Sequence, residues 1–278
     1  MNQGCWGREA SLRVRTGIVV ALIVVLLSAC GTRTPRVAAA GPPTTPQKVI
    51  TIGGSTSYGW GDTVNDKPCW GITSEPPAEC GYLGRAFIRL SELEHARFTI
   101  VARLWTPSID LLRRHLRNQH PMLVIFAYGI LDYLTGSDAE PEATFTRQVR
   151  EEIWACLNEG AAVIMTTPPI TQETLQPQHS EQELAYAAGE LKVAESFRSP
   201  RVYVIDLTSD EKAYLLKHKI SPDLTFRRYY SQYLHRFTVD GWHLNEYGHR
   251  VAGKVLADEL AQAFSLHPYW IDRSTPSP

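Results

Sequence analysis

Lys48-Val49-Ile50-Thr51-Ile52-Gly53-Gly54-Ser55-Thr56-Ser57-Tyr58-Gly59-Trp60-Gly61 is the stretch from which the fold can be read. A short β-branched run stops at a pair of glycines, the pattern of a buried strand entering a sharp turn. Comparable apolar runs recur at 98–102, 122–128, 161–166 and 201–205. Between them the apolar residues take helical spacing. Leu83, Phe87 and Leu90 mark one helix, Leu111, Leu112 and Leu116 a second, Phe145, Val149, Ile153 and Leu157 a third, and 184–197 a weaker fourth. Asn245 is a plausible N-cap for a last helix carrying Tyr247, Val251, Leu256, Leu260 and Phe264. Continuous apolar strands alternating with helices predict a parallel sheet covered on both faces, an α/β class, three-layer α/β/α sandwich of about five strands. In such open sheets ligands bind beyond the carboxyl ends of the strands, beside the first strand at the switch point. Ser55 stands there.

Outward from this core, residues 1–29 read as a signal segment. Arg8, Arg13 and Arg15 precede an apolar run over 17–27 that is too short to span a membrane and ends in Leu27-Ser28-Ala29-Cys30. These four residues resemble a bacterial lipobox, which implies cleavage before Cys30 and a lipid on that cysteine. A plain cleaved signal and an uncleaved anchor are the alternatives, and all three place the domain outside the cytoplasm, in the cell envelope or secreted. Residues 30–47, mostly Thr, Pro, Ala and Gly, make a tether; 48–266 make the domain and 267–278 a tail. The 278 residues carry a formal net charge of -1, so no global field points to nucleic acid or an acidic membrane surface. Cys69 and Cys80 share one Pro/Gly-rich stretch and could form a disulfide in an oxidising compartment, while Cys156 lies on an apolar helical face. The cysteines lack zinc-site spacing and the nine histidines are scattered, so no metal is expected.

Gly53 and Gly54 let the chain bend and let a substrate approach the Ser55 hydroxyl without meeting a Cβ. A serine hydroxyl needs a base to become a nucleophile. No lysine follows the glycines, which sets aside a phosphate loop. The second feature is Asp240-Gly241-Trp242-His243-Leu244-Asn245, just before the last helix. An aspartate three residues before a histidine can hold one imidazole nitrogen while the other faces a nucleophile. The same spacing also suits a capping loop in which Asp240 accepts from nearby backbone amides.

Gly53-Gly54-Ser55 after the first strand, Gly129-Ile130-Leu131-Asp132 after the third, and Asp240-Gly241-Trp242-His243 before the final helix together resemble the ordered blocks of SGNH (GDSL-like) hydrolases. The resemblance runs from about 48 to 264 and implies the family's flavodoxin-like fold. It also implies Ser55 as nucleophile, His243 as general base and Asp240 as the residue that orients it, with Gly54, Gly129 and Asp132 around the oxyanion and substrate. The chain departs from the family at Leu131, where an asparagine donor is usual, and over 102–108, where a glycine is usual. Loss of one oxyanion donor is worth about 10²–10³ in rate. Arg103, Thr106 and Ser108 are donor-bearing candidates to replace it.

Two further segments could shape specificity: the insertion over 60–80, and the stretch over 215–237 in which Lys, Arg and His alternate with Tyr, a lid or a solvated covering. The resemblance implies an esterase that needs no cofactor and cleaves small acyl esters on an envelope glycan or a lipid through an acyl-serine. An O-acyltransferase on envelope glycans and a non-catalytic binding lipoprotein of the same fold are the alternatives.

Overall fold

The computed structural model describes residues 46–65, 67–69, 79–105, 107–128, 141–171, 177–218, 237–240 and 243–266. The Lys48 run forms β1 (Gln47–Gly53) and is followed by a two-residue hairpin, β2 (Thr63–Val64) with β3 (Lys67–Pro68). Then come α1 (Gly81–Leu93), β4 (Phe98–Leu104), α2 (Ile109–Gln119), β5 (Leu123–Ala127), α3 (Pro141–Asn158), β6 (Ala162–Thr166), α4 (Pro177–Ser196), β7 (Val202–Ile205), α5 (Leu207–Lys217) and α6 (Glu246–Leu266).

The five long strands form one parallel sheet in the order β4-β1-β5-β6-β7. This is the flavodoxin-like order, with its switch point between β1 and β5. The expected α/β/α sandwich is therefore the fold.

Alternation along each strand divides the interior into two layers. On one face Val49, Leu123, Ile125, Ala162 and Ile164 pack against Tyr82, Leu83, Phe87 and Leu90 of α1 and Leu256, Leu260 and Phe264 of α6. On the other, Ile50, Ile52, Val124, Phe126, Val163 and Met165 meet Leu112 and Leu116 of α2, Val149, Ile153 and Cys156 of α3, and Tyr186 and Val193 of α4. Both faces of β5 and β6 are buried throughout, which is why their sequences are unbroken apolar runs.

The cation-rich stretch assigned to 215–237 begins inside a helix, α5, capped by Asp206, whose side chain accepts from the Ser209 amide. Leu207 and Leu215 of α5 are fully buried. Residues 219–236 lie outside the described residues.

Candidate active site

β1 delivers the chain to the carboxyl edge of the sheet, and the turn that follows is locked from several sides. Ser57 Oγ donates to the Ala127 carbonyl at the end of β5 (2.7 Å). The buried Tyr58 hydroxyl sits within reach of the Thr51 (2.9 Å) and Leu104 (2.8 Å) carbonyls and donates to one at a time. Gly53 has no room for a side chain: a Cβ there would stand 2.6 Å from Ser57 Oγ and 2.7 Å from the Ala127 oxygen. Beyond Ser55 the Trp60 amide donates back to the Ser55 carbonyl (2.9 Å), closing the turn around the serine.

The turn is tied outward by Asp62, which is buried. Its Oδ2 accepts from the Gly81 amide (3.0 Å) and Arg85 Nε (3.0 Å), and its Oδ1 from Arg85 Nη2 (2.7 Å) and the Thr63 amide (2.8 Å). This bidentate pair is the strong kind of carboxylate contact. It fixes the start of α1, where the Cys69–Cys80 disulfide closes the insertion. The bridge joins the two cysteines that share the Pro/Gly-rich stretch. Cys156 is free and buried, and desolvation pushes its thiol well above the usual range, so it is inert as a nucleophile.

The opposing element is a narrow hairpin. Thr238 and Leu244 form an antiparallel bridge, the Val239 amide donates to the His243 carbonyl (2.9 Å) and the Asn245 amide to the Phe237 carbonyl (2.7 Å). Asn245 Oδ1 then accepts from the Gly248 amide (3.0 Å) and caps α6 as expected. Within the hairpin Asp240 does both things its spacing allowed: Oδ1 accepts from the His243 amide (2.7 Å) and Oδ2 lies 2.7 Å from His243 Nδ1. One oxygen thus meets the backbone amide and the other the ring.

The other imidazole nitrogen, Nε2, lies 3.0 Å from Ser55 Oγ. With the Nδ1 proton held by Asp240, Nε2 presents a lone pair to the serine hydroxyl. The arrangement can deprotonate Ser55 during attack on a carbonyl and stabilise the imidazolium that results.

Two side chains that sequence reasoning did not single out complete the picture. Trp60 remains 39% exposed while its ring packs on that of His243, with centroids 5.3 Å apart. Behind it His249 of α6 is fully buried, and its Nε2 donates to the Trp60 carbonyl (3.1 Å). That carbonyl can only accept, so the neutral ring carries its proton on Nε2 and leaves the buried Nδ1 as an acceptor with no partner among the described residues. Burial lowers the His249 pKa to about 4, opposed only in part by nearby Asp62 and the Trp60 bond. The separation of 189 positions between Trp60 and His249 leaves no local signal that could have joined them.

The expected oxyanion residues are placed less completely. Gly54 is buried and its carbonyl accepts from the Tyr58 amide (3.2 Å). Gly129, Leu131, Asp132 and Thr106 lie outside the described residues, as do Cys30 and the tail. Ser108 is the N-cap of α2, its oxygen accepting from the Leu111 amide (3.3 Å). Arg103 lies over the Tyr58 ring at 5.8 Å, and burial lowers its pKa.

No protein-family model and no curated protein sequence matches the chain. Solved structures do. Over 80% of this chain and 97% of the other, a protein of Parabacteroides merdae termed a GDSL-like lipase superimposes with a TM-score of 0.53 at 15% identity. The fold is that of the SGNH hydrolases. A catalytic mutant of Axe2, an acetylxylan esterase of Geobacillus stearothermophilus, matches 80% of this chain and 95% of its own with a TM-score of 0.52 at 16% identity. The protein YxiM of Bacillus subtilis matches with a TM-score of 0.51 at 20% identity, and this chain spans 57% of its length. In the SGNH fold the edge beside the first strand is the ligand-binding edge of an open α/β sheet, and Ser55 and His243 meet at it.

Proposed function

We propose that the protein is a serine esterase that cleaves small acyl esters through an acyl-serine intermediate. The observation that carries this reading is the unbroken line Ser55 Oγ, His243 Nε2, His243 Nδ1, Asp240 Oδ2, with heavy-atom distances of 3.0 and 2.7 Å at its two hydrogen bonds. Ser55 Oγ attacks the ester carbonyl as its proton passes to His243 Nε2. The tetrahedral intermediate then expels the alkoxide, which takes that proton and leaves as the alcohol. Water, deprotonated by the same nitrogen, attacks the acyl-serine and releases the carboxylic acid, restoring Ser55. Asp240 keeps the proton of Nδ1 in place throughout and lowers the cost of the imidazolium.

Substrates of the reading are acetyl and other short acyl esters on envelope glycans or lipids, with the protein exported and held to a membrane by a lipid on Cys30. The Cys69–Cys80 disulfide supports an oxidising, extracytoplasmic location. No nucleic-acid role is part of the reading.

The test is hydrolysis of p-nitrophenyl acetate and butyrate by the protein and by Ser55→Ala. Turnover that vanishes in Ser55→Ala is the expected result. Absence of turnover from both proteins, with circular dichroism intact, refutes the esterase and leaves a binding protein of this fold.

A further inference from the structure

Trp60 is an exposed apolar ring in a turn that is otherwise fixed, and the fixing is unusually complete. Its amide donates to the Ser55 carbonyl (2.9 Å), and its own carbonyl accepts from a buried histidine, His249 (3.1 Å). It is flanked by Gly59 and Gly61, at φ 95° and 81°, a backbone region that side-chain-bearing residues rarely enter. A Cβ on Gly61 would come within 2.5 Å of the Leu244 carbonyl, so the turn also abuts the hairpin that carries His243. An indole held this firmly could have been folded inward; instead it is 39% exposed against the His243 ring.

The imidazole is what decides which part of a substrate such a ring meets. In acyl transfer the protonated base delivers its proton to the departing alkoxide, so the leaving oxygen must come to His243 Nε2, whereas the carbonyl oxygen turns to the oxyanion donors and the acyl chain follows the carbonyl carbon. A surface packed on the imidazole therefore borders the alcohol half of the ester. A flat indole there offers van der Waals contact and a π face to a flat alcohol and little to a slender one.

We infer that Trp60 is the platform for the alcohol half of the substrate and selects esters of ring alcohols, sugar hydroxyls above all, over esters of small linear alcohols. This rests on the esterase reading and narrows it: Ser55 and His243 perform the reaction, and Trp60 decides what leaves.

The experiment varies one half of the ester at a time. With the acyl group held as acetate, kcat/KM is measured for peracetylated methyl glucoside and for ethyl acetate, in the protein, in Trp60→Ala and in Trp60→Phe. With the alcohol held as p-nitrophenol, it is measured for acetate and butyrate. Trp60→Ala is expected to lower the glucoside-to-ethyl ratio about tenfold, Trp60→Phe to restore part of it, and both to keep the acetate-to-butyrate ratio within about twofold of the parent. A glucoside-to-ethyl ratio that does not move, or an acetate-to-butyrate ratio that moves in its place, overturns the assignment while leaving the esterase standing. Absence of Ser55-dependent turnover in the parent removes both.

Discussion

His249 makes the stability of this protein depend on pH in a way that one substitution isolates. The ring is fully buried, and burial lowers its pKa from 6.5 to about 4. An unfolded chain binds a proton at this position from about pH 6.5 downward, while the folded chain refuses it until about pH 4. Stability from this group is therefore complete above pH 6.5 and lost progressively as pH falls to about 4. At 1.36 kcal/mol per pH unit the full loss is about 3 kcal/mol, of which about 2 kcal/mol has gone by about pH 4.5.

His249→Gln keeps a donor for the Trp60 carbonyl and removes the titration. Urea unfolding of the protein and of His249→Gln at about pH 7 and about pH 4.5 gives the two differences directly. The parent is expected to lose about 2 kcal/mol more than the variant between these values, whatever the other titrating groups contribute to both. Parallel losses would refute the reasoning, because they would mean that His249 binds its proton equally well folded and unfolded.

Three other outcomes follow from the geometry. Asp240→Asn retains an oxygen for the His243 amide but loses the anion at Nδ1, so kcat for p-nitrophenyl acetate is expected to fall about 10²–10⁴-fold with little change in the urea midpoint. Arg85→Ala strands the buried Asp62 carboxylate and is expected to cost about 3–5 kcal/mol in urea unfolding, since removing one member of a buried pair leaves the other charge uncompensated. Reducing the Cys69–Cys80 bridge, whose cysteines are separated by 11 residues, is expected to destabilise the protein by about 2–3 kcal/mol, read as a lower urea midpoint with dithiothreitol present.

The sheet was legible because its strands are buried on both sides: Leu123–Ala127 and Ala162–Thr166 contain no exposed residue, so their composition alone betrays them. Helix α5 was not legible, for an equally physical reason. Its buried positions are Leu207, Glu211 and Leu215, and the middle of that stripe is a carboxylate whose oxygen accepts from the Ile170 amide (2.8 Å). A charged residue on the inward face erases the apolar periodicity that marks a helix from sequence. The serine and the Asp240 and His243 pair could be named because each sits in a short local pattern. The residues that hold the turn in place, Asp62 with Arg85 and Trp60 with His249, are joined only by folding, and a distance that exists only in space writes nothing into neighbouring positions.

The bridge between Thr238 and Leu244 has one more consequence. Because Asp240 grips both the amide and the ring of His243, the imidazole is held from within its own short segment before Ser55 and Trp60 meet it from outside. On the esterase reading the acid/base pair is oriented locally, and its contacts with Ser55 and with the Trp60 turn are what must be kept in register with the sheet.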